Sequence, residues 1–419
     1  MTLADKEDRI PKFNLMGIKR LWRKSIFRNA VIVFILMNLY ATSNAQDSTK
    51  QKNIFTQLSE NGLSFGLKES LEGYHNFVGG VKTGTAYAST FDANINFDLQ
   101  KLIGLKNATF YADLEYHTGD NPTQKLIGDF QVFDKHNSFP FVQMLELWYQ
   151  QELFHSKLRI KIGKIDANSE FSVIDGGLEF INSSTQVSPT FFVFPTFPDP
   201  VPSINIFFSP SKLFYLNLAM DYANKNARFL NFYGDPVSVQ ATTYGVLLLS
   251  EAGLRWDHLS RFKKDGNFKL GLWQHTGTFS NFDGKSTQGA NGIYAIFNQT
   301  LWQPIAPNIN DRGIRMFLDF GLTDPNLAAI YAHYGGGLVW TGPSSKRNKD
   351  VIGLSSNYMP LSPQLHLAEQ NETNIETFYK LSVTNWLSVK ADVQYIFNPG
   401  GKLNNALIGT MLLNFKFGS

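Results

Sequence analysis

The chain has 419 residues, no cysteine, and a net charge of +3 from 38 Lys+Arg against 35 Asp+Glu. Without cysteine it has neither disulfide staples nor a thiolate metal site. A charge this small, with no basic face, speaks against nucleic-acid binding.

Residues 1–45 read as a secretory leader. Lys19, Arg20, Arg23, Lys24 and Arg28 precede a short apolar run from Ala30 to Tyr40, and Ser43-Asn44-Ala45 is a small-x-small cleavage site. The run is too short for a membrane helix, so a single N-terminal anchor is the weaker alternative. Met16 is a second candidate start, because it begins a leader of more ordinary length. Removing the leader's eight basic and three acidic residues leaves 30 and 32, a net of −2. Residues 46–61 are expected as an extension carrying helical periodicity over 49–60, and 62–419 as the folded body.

The body repeats one pattern. Phe91, Ala93, Ile95, Phe97 and Leu99 alternate with Asp92, Asn94, Asn96 and Asp98. Phe110, Ala112, Leu114 and Tyr116 alternate with Tyr111, Asp113, Glu115 and His117. The same two-residue period returns at 65–68, 158–163, 314–320, 387–395 and 411–417, between turns rich in Gly, Asn, Asp and Pro. After Tyr40 no apolar run approaches a membrane helix, and mean hydropathy is only −0.18. A barrel has such a value because each strand is half apolar.

Two architectures share this pattern. A soluble β-sandwich buries its apolar faces inward. A membrane barrel turns them to lipid and lines a lumen with the polar ones. The leader, the length and the aromatic strand ends (Trp148-Tyr149, Trp256, Trp302, Trp340, Tyr358, Trp386) favour the barrel, since Trp and Tyr collect at membrane interfaces. The expected fold is all-β: a transmembrane antiparallel β-barrel of about 16 strands with inward-folded loops.

Several stretches in order then resemble the carbohydrate-selective porin family, OprB, from about residue 62 to 417. They include LELWYQQELF (145–154), LRIKIGKIDANSEF (158–171), FINSSTQVSPT (180–190) and FPTFPDPVPS (194–203). GLWQHTGTF (271–279), NGIYAIFNQTLW (291–302), GIRMFLDFGLTDP (313–325), GGGLVWTGP (335–343) and ETFYKLSVTNWLSVKADVQYIFNPGG (376–401) follow. Two features depart from the family pattern: the end Phe417-Gly418-Ser419, and the apolar run 191–194 in a region expected to be a pore loop. The resemblance implies an outer-membrane barrel admitting sugars by diffusion, without enzyme activity or cofactor. It also implies mono- or oligosaccharide solutes, contact with outer-membrane lipid and assembly by the barrel-assembly machinery, and leaves a homo-oligomer open. Alternatives are a general, anion or other-solute porin, a barrel enzyme, and an exported sugar-binding sandwich.

A sugar-preferring constriction needs charged or amide groups for hydroxyls and aromatic faces for C–H surfaces. By strand parity the lumen candidates are Lys68, Asp92, Asp113, Glu115, Glu146, Trp148, Arg159, Lys161, Arg315, Asp319, Glu376, Lys380, Lys390 and Asp392. Glu146 with Trp148, and Arg159 with Lys161, stand out as i, i+2 pairs on adjoining segments. Segment 180–208, whose prolines at 189, 195, 198, 200 and 202 exclude a central strand, is expected to form the constriction loop.

Overall fold

The computed structural model describes residues 54–223, 231–233, 245–257, 264–304 and 312–418; the leader and its cleavage site lie outside them. Two short helices, α1 (Ile54–Glu60) and α2 (Leu99–Ile103), accompany the strands. The Asp98 carboxylate accepts from the amides of Gln100 and Lys101 to start α2, and Gly104 at φ 78° ends it.

The strands are β1 (Leu63–Val78), β2 (Gly84–Asp98), β3 (Ala108–Gly119), β4 (Phe141–Leu153), β5 (Leu158–Ile165), β6 (Val201–Phe208), β7 (Phe214–Ala223), β8 (Asn231–Tyr233) and β9 (Gly245–Trp256). Then follow β10 (Gly266–Ser280), β11 (Ser286–Trp302), β12 (Gly313–Thr323), β13 (Ala332–Thr341), β14 (Val351–Pro360), β15 (Asn371–Ser382), β16 (Leu387–Phe397) and β17 (Ala406–Gly418). Each pairs antiparallel with its neighbour, β7 pairs with β9, and β17 returns to β1 from Gly66↔Gly418 to Asn76↔Ile408. With β8 set aside, the ring is a closed barrel of 16 strands. The short β8 instead pairs with β4 at Val142 and Gln143, beyond the stretch of β4 that β5 covers. Closure removes every sheet edge, which a chain without disulfides needs in order to satisfy its backbone.

The two faces decide between sandwich and barrel. Leu248, Leu272, Leu318, Leu338, Leu354 and Met411 point outward and are roughly half exposed, whereas Glu251, Lys269, Asp319, Asn357, Glu376 and Asp392 point inward and are buried. A soluble sheet would have the reverse. Trp256, Trp302 and Trp340 lie on the outward face near the short-turn end, and Tyr334 and Tyr358 near the other. These are the two interfacial girdles. Trp148 is not part of a girdle: it faces inward, as its parity with Glu146 required, and stacks on Tyr111 at 4.8 Å between ring centroids.

The long connections 120–140 and 166–200 fold into the lumen at the end opposite the start of β1 and the end of β17. The expected loop 180–208 is shorter than its prolines suggest. Val201–Phe208 is β6, with Pro202 opposite Lys164 of β5. Pairing of β6 with β7 begins only at Ser203, so the missing Pro202 N–H costs no ladder bond on that side.

Candidate functional site: a constriction built from one wall and one loop

Loop 166–200 leans on one half of the barrel. Its apolar run is an anchor: Phe191 stacks on Trp273 at 4.8 Å and 8° and on Phe194 at 4.2 Å. Phe180 packs edge-on against Phe378 and Phe317. Burial of each such ring is worth about 1.5–3 kcal/mol, which explains aromatic residues in a pore loop. Polar pins complete the dock. Glu376 accepts from the amides of Ile181 (2.7 Å) and Asn182 (3.1 Å). Lys380 grips the Glu179 carboxylate at 2.5 Å, and Lys390 donates to the Glu179 carbonyl. His333 bridges Ser188, Asn357 and Asp319. Burial would raise the Glu179 carboxyl, but Lys380 and Lys390 outweigh it and hold it below the usual range.

Inward-facing glycines make room for this packing. A Cβ on Gly271 would sit 2.0 Å from the Tyr294 ring, and one on Gly253 2.0 Å from the Tyr215 ring. The two tyrosines therefore lie flat across neighbouring strands, and both hydroxyls donate to Glu251 at 2.8 Å. Glu251 also accepts from Ser172 N at 3.0 Å, which ties the start of the loop to β9.

Loop 120–140 covers the next sector. Leu126, Ile127 and Phe133 bury against Tyr74, Ile396 and Ile408. The Tyr74 hydroxyl bridges Glu72 (2.6 Å) and Asp134 (2.7 Å), and Gln394 donates to the Phe133 carbonyl.

The wall from β1 to β6 gathers most of the sequence candidates; Lys68 and Arg159 keep partly exposed side chains there, whereas Asp113, Glu115 and Lys161 are 7%, 2% and 3% exposed. Lys68 lies 3.4 Å from Asp92, with its side chain 45% exposed. Register sets Asp92 opposite Glu115, and Asp113 opposite Glu146, forming an acidic patch. Beside it Tyr111 and Trp148 form an aromatic shelf. Beyond the shelf stands a basic ladder. Register pairs Gln150 with Lys161 and Glu152 with Arg159, so both cations face the lumen next to Trp148. Lys161 Nζ sits 4.0 Å over the Trp148 ring, and the Arg159 guanidinium 3.7 Å over Phe207.

Glu170, from the inward loop, locks the ladder. It takes both Arg159 terminal nitrogens at 2.8 Å and Lys161 at 3.0 Å. Its burial raises the carboxyl, yet hydrogen bonds from Arg159 and the charges of both cations pull it below the ordinary range. A cavity of about 450 Å³ opens beside this ladder, lined among others by Glu152, Arg159, Glu170, Tyr215, Arg255 and Lys269. It is large enough for a small sugar.

The remaining candidates separate from this site. Arg315 is exposed at the short-turn rim, in a second cavity of about 490 Å³ with Lys212 and Arg255. Glu376, Lys390 and Asp392 face inward as parity requires, but they are 0%, 4% and 2% exposed beneath the loop. Glu376, Lys380 and Lys390 hold the loop directly and Asp319 does so through His333, while Asp392 sits beside Gln394 beneath them. Sequence reasoning passed over Tyr111, Gln150 and Phe207, all detectable by parity. It also passed over Glu170, which lies in an aperiodic loop with no pattern to flag it.

Comparison with known proteins places this geometry. The sequence model described as "Carbohydrate-selective porin, OprB family" matches residues 82–417. Porin B of Pseudomonas aeruginosa is 23% identical over 415 residues, covering 86% of this chain and 89% of that protein. The high-pH structure of Pseudomonas putida OprB superposes with a TM-score of 0.75 at 20% identity, covering 86% of this chain and 96% of that one. The low-pH structure of the same protein gives 0.58 at the same identity and 86% coverage of this chain. A family match over most of the chain, on a closed 16-stranded ring with two loops folded inside, makes the chain a member of the carbohydrate-selective porin family OprB.

Proposed function

We propose that this outer-membrane porin passes mono- or oligosaccharides passively along its β1–β6 wall, past the Tyr111–Trp148 shelf. The observation that carries this is the juxtaposition of that shelf with acids on one side (Asp92, Asp113, Glu115, Glu146) and Arg159 and Lys161 on the other. A sugar's C–H face can slide over the rings while its rim hydroxyls exchange hydrogen bonds with charges of both signs. Because Glu170 already pairs with both cations and offsets one of their two charges, each contact is weak enough to release the solute. The passage needs no cofactor and no catalytic group. The same reading includes export by residues 1–45 with cleavage after Ala45, and delivery to the barrel-assembly machinery.

The test is liposome swelling with neutral sugars, amino acids and salts of matched size. Sugars should enter fastest, and Trp148→Ala should slow them without slowing salts. Equal rates for all three classes would make the protein a general porin, and rates that follow charge would make it an ion-selective one.

A further inference from the structure

The two inward loops are each fastened to the wall, and they are also fastened to one another. Residues 131–135 of the first cross residues 180–184 of the second. Lys135 N donates to the Ile181 carbonyl at 2.8 Å, and Ser183 N donates to the Val132 carbonyl at 3.1 Å. The Ser184 hydroxyl donates to the Gln131 carbonyl at 3.0 Å. The Lys135 ammonium reaches back to the carbonyls of Leu178 and Phe180, both at 3.3 Å.

One wall residue holds both loops at this crossing. Gln394 of β16 is 0% exposed. Its Oε1 accepts from Asn182 Nδ2 of loop 166–200 at 3.1 Å and from Asn374 Nδ2 of β15 at 2.8 Å. Its Nε2 donates to the Phe133 carbonyl of loop 120–140 at 2.9 Å and, more weakly, to Asp392 at 3.4 Å. The amide is therefore fully used, as acceptor twice and as donor twice. Its orientation is forced. Asn182 Oδ1 accepts from Ser184 N at 2.9 Å, so Asn182 offers its Nδ2 to Gln394. A donor on that side fixes Oε1 there and leaves Nε2 for Phe133.

A strained residue marks the same crossing. Val132 has a φ of 56°, in the left-handed region that a β-branched side chain avoids. Such a backbone persists only where its surroundings impose it. Here the Val132 carbonyl takes Ser183 N, and the carbonyl of the next residue, Phe133, takes Gln394.

We infer that Gln394 is a positioning residue that couples the two loops into one diaphragm, so that both together set the aperture. The inference rests on the reading that solute passes through this lumen. Gln394 is sealed from solute and acts by holding Asn182 and Phe133 in one register. Loosening either loop then loosens the other.

The test uses the full detergent-folded barrel, with amide exchange read by mass spectrometry, single-channel current in planar bilayers and liposome swelling. Of the two loops, the Glu376 carboxylate bonds only 166–200. Glu376→Ala should nevertheless speed exchange of residues 131–135 by about tenfold, the equivalent of one net hydrogen bond. Gln394→Met should speed exchange in both loops, make the open current noisy and lower the ratio of sugar to salt entry. Ser183→Pro should do the same. Residue 183 opens a helical turn, where proline fits, so this variant deletes the bond to Val132 and leaves the turn intact. Faster exchange confined to 166–200 in Glu376→Ala overturns the inference, as does a Ser183→Pro barrel with wild-type exchange and current. If Gln394→Met fails to fold, Ser183→Pro decides by the same measures. Coupled exchange with an unaltered current and sugar-to-salt ratio overturns the link to the aperture. A wild-type barrel with no stepwise current overturns the passage of solute itself, whatever the exchange shows.

Discussion

The β1–β6 wall and the β12–β17 wall are written in the same alternating code, with charges of both signs on the inward parity. On the first, Lys68 and Arg159 remain in reach of solvent, although Asp113, Glu115 and Lys161 between them are buried. On the second, Glu376, Lys390 and Asp392 are sealed under loop 166–200. An inward charge in a barrel therefore has two fates. It can meet solute, or it can bind the loop that narrows the path for solute. The loop's aromatic anchors choose, because Phe180 and Phe191 bury only where Phe317, Phe378 and Trp273 leave room for them.

The largest test breaks the fold that both walls share. Phe415→Asp should abolish assembly. Phe415 faces outward near Trp386 and directly opposite Glu69, so the variant puts two carboxyls side by side on the lipid face. The cost, on the order of a few kcal/mol, adds lost burial to a charge in hydrocarbon. Asn414→Asp should assemble, since it faces inward and can keep the hydrogen bond from Ser70. Heat-modifiability on gels and resistance to carbonate extraction should be lost in the first variant and retained in the second.

Next, Glu376→Ala should release the loop from the covered wall. It strips partners from the buried amides of Ile181 and Asn182, at about 1–3 kcal/mol for each unsatisfied group. Single-channel conductance should rise and become noisy while the barrel stays folded. Unchanged conductance would mean that the aromatic anchors hold the loop unaided.

Arg159→Ala should act on the open wall alone. Sugar flux should change by roughly two- to tenfold, the equivalent of about one net hydrogen bond of 0.5–1.5 kcal/mol. Freed Glu170 charge should shift ion selectivity toward cations, with assembly unaffected. Failure to assemble would mean that this charge cluster holds the fold rather than filters solute.

The smallest effect is on pH. Glu170 is held below its ordinary value, so its ion pairs contribute fully above the unfolded carboxylate pKa of about 4.5. They are lost as pH falls through the lower folded value. The difference in reversal potential between wild type and Glu170→Gln should stay constant from pH 8 to pH 5 and vanish in stronger acid. Glu170→Gln should be anion-selective throughout.

Parity made most of the site legible. Asp113, Glu115, Glu146, Trp148, Arg159 and Lys161 meet on one wall because successive side chains alternate faces and neighbouring strands lie about 4.8 Å apart. Position near a strand end did not separate Trp148 on the lumen face from Trp256 on the lipid face as members of a girdle, although parity with Glu146 put Trp148 in the lumen; a bulge at Leu145 shifts the alternation earlier in β4. Nor could parity supply Glu170, whose position depends on the path of a loop. The prolines misled at one end, since Pro202 can stand where β6 has a neighbour on one side only.

By itself the sequence determined alternating strands with one apolar face, an approximate strand number from its length, and the direction of most wall residues. The directions follow from a local two-residue period; the choice of barrel over sandwich leaned on the leader, the length and the aromatic strand ends. Only the tertiary structure decided which wall stays open, because that depends on long-range contacts: Phe191 on Trp273, Ile181 on Glu376, Glu170 on Arg159. No local period encodes contacts between residues so far apart in the chain. They form only once closure of the ring brings the loop and the far wall within reach.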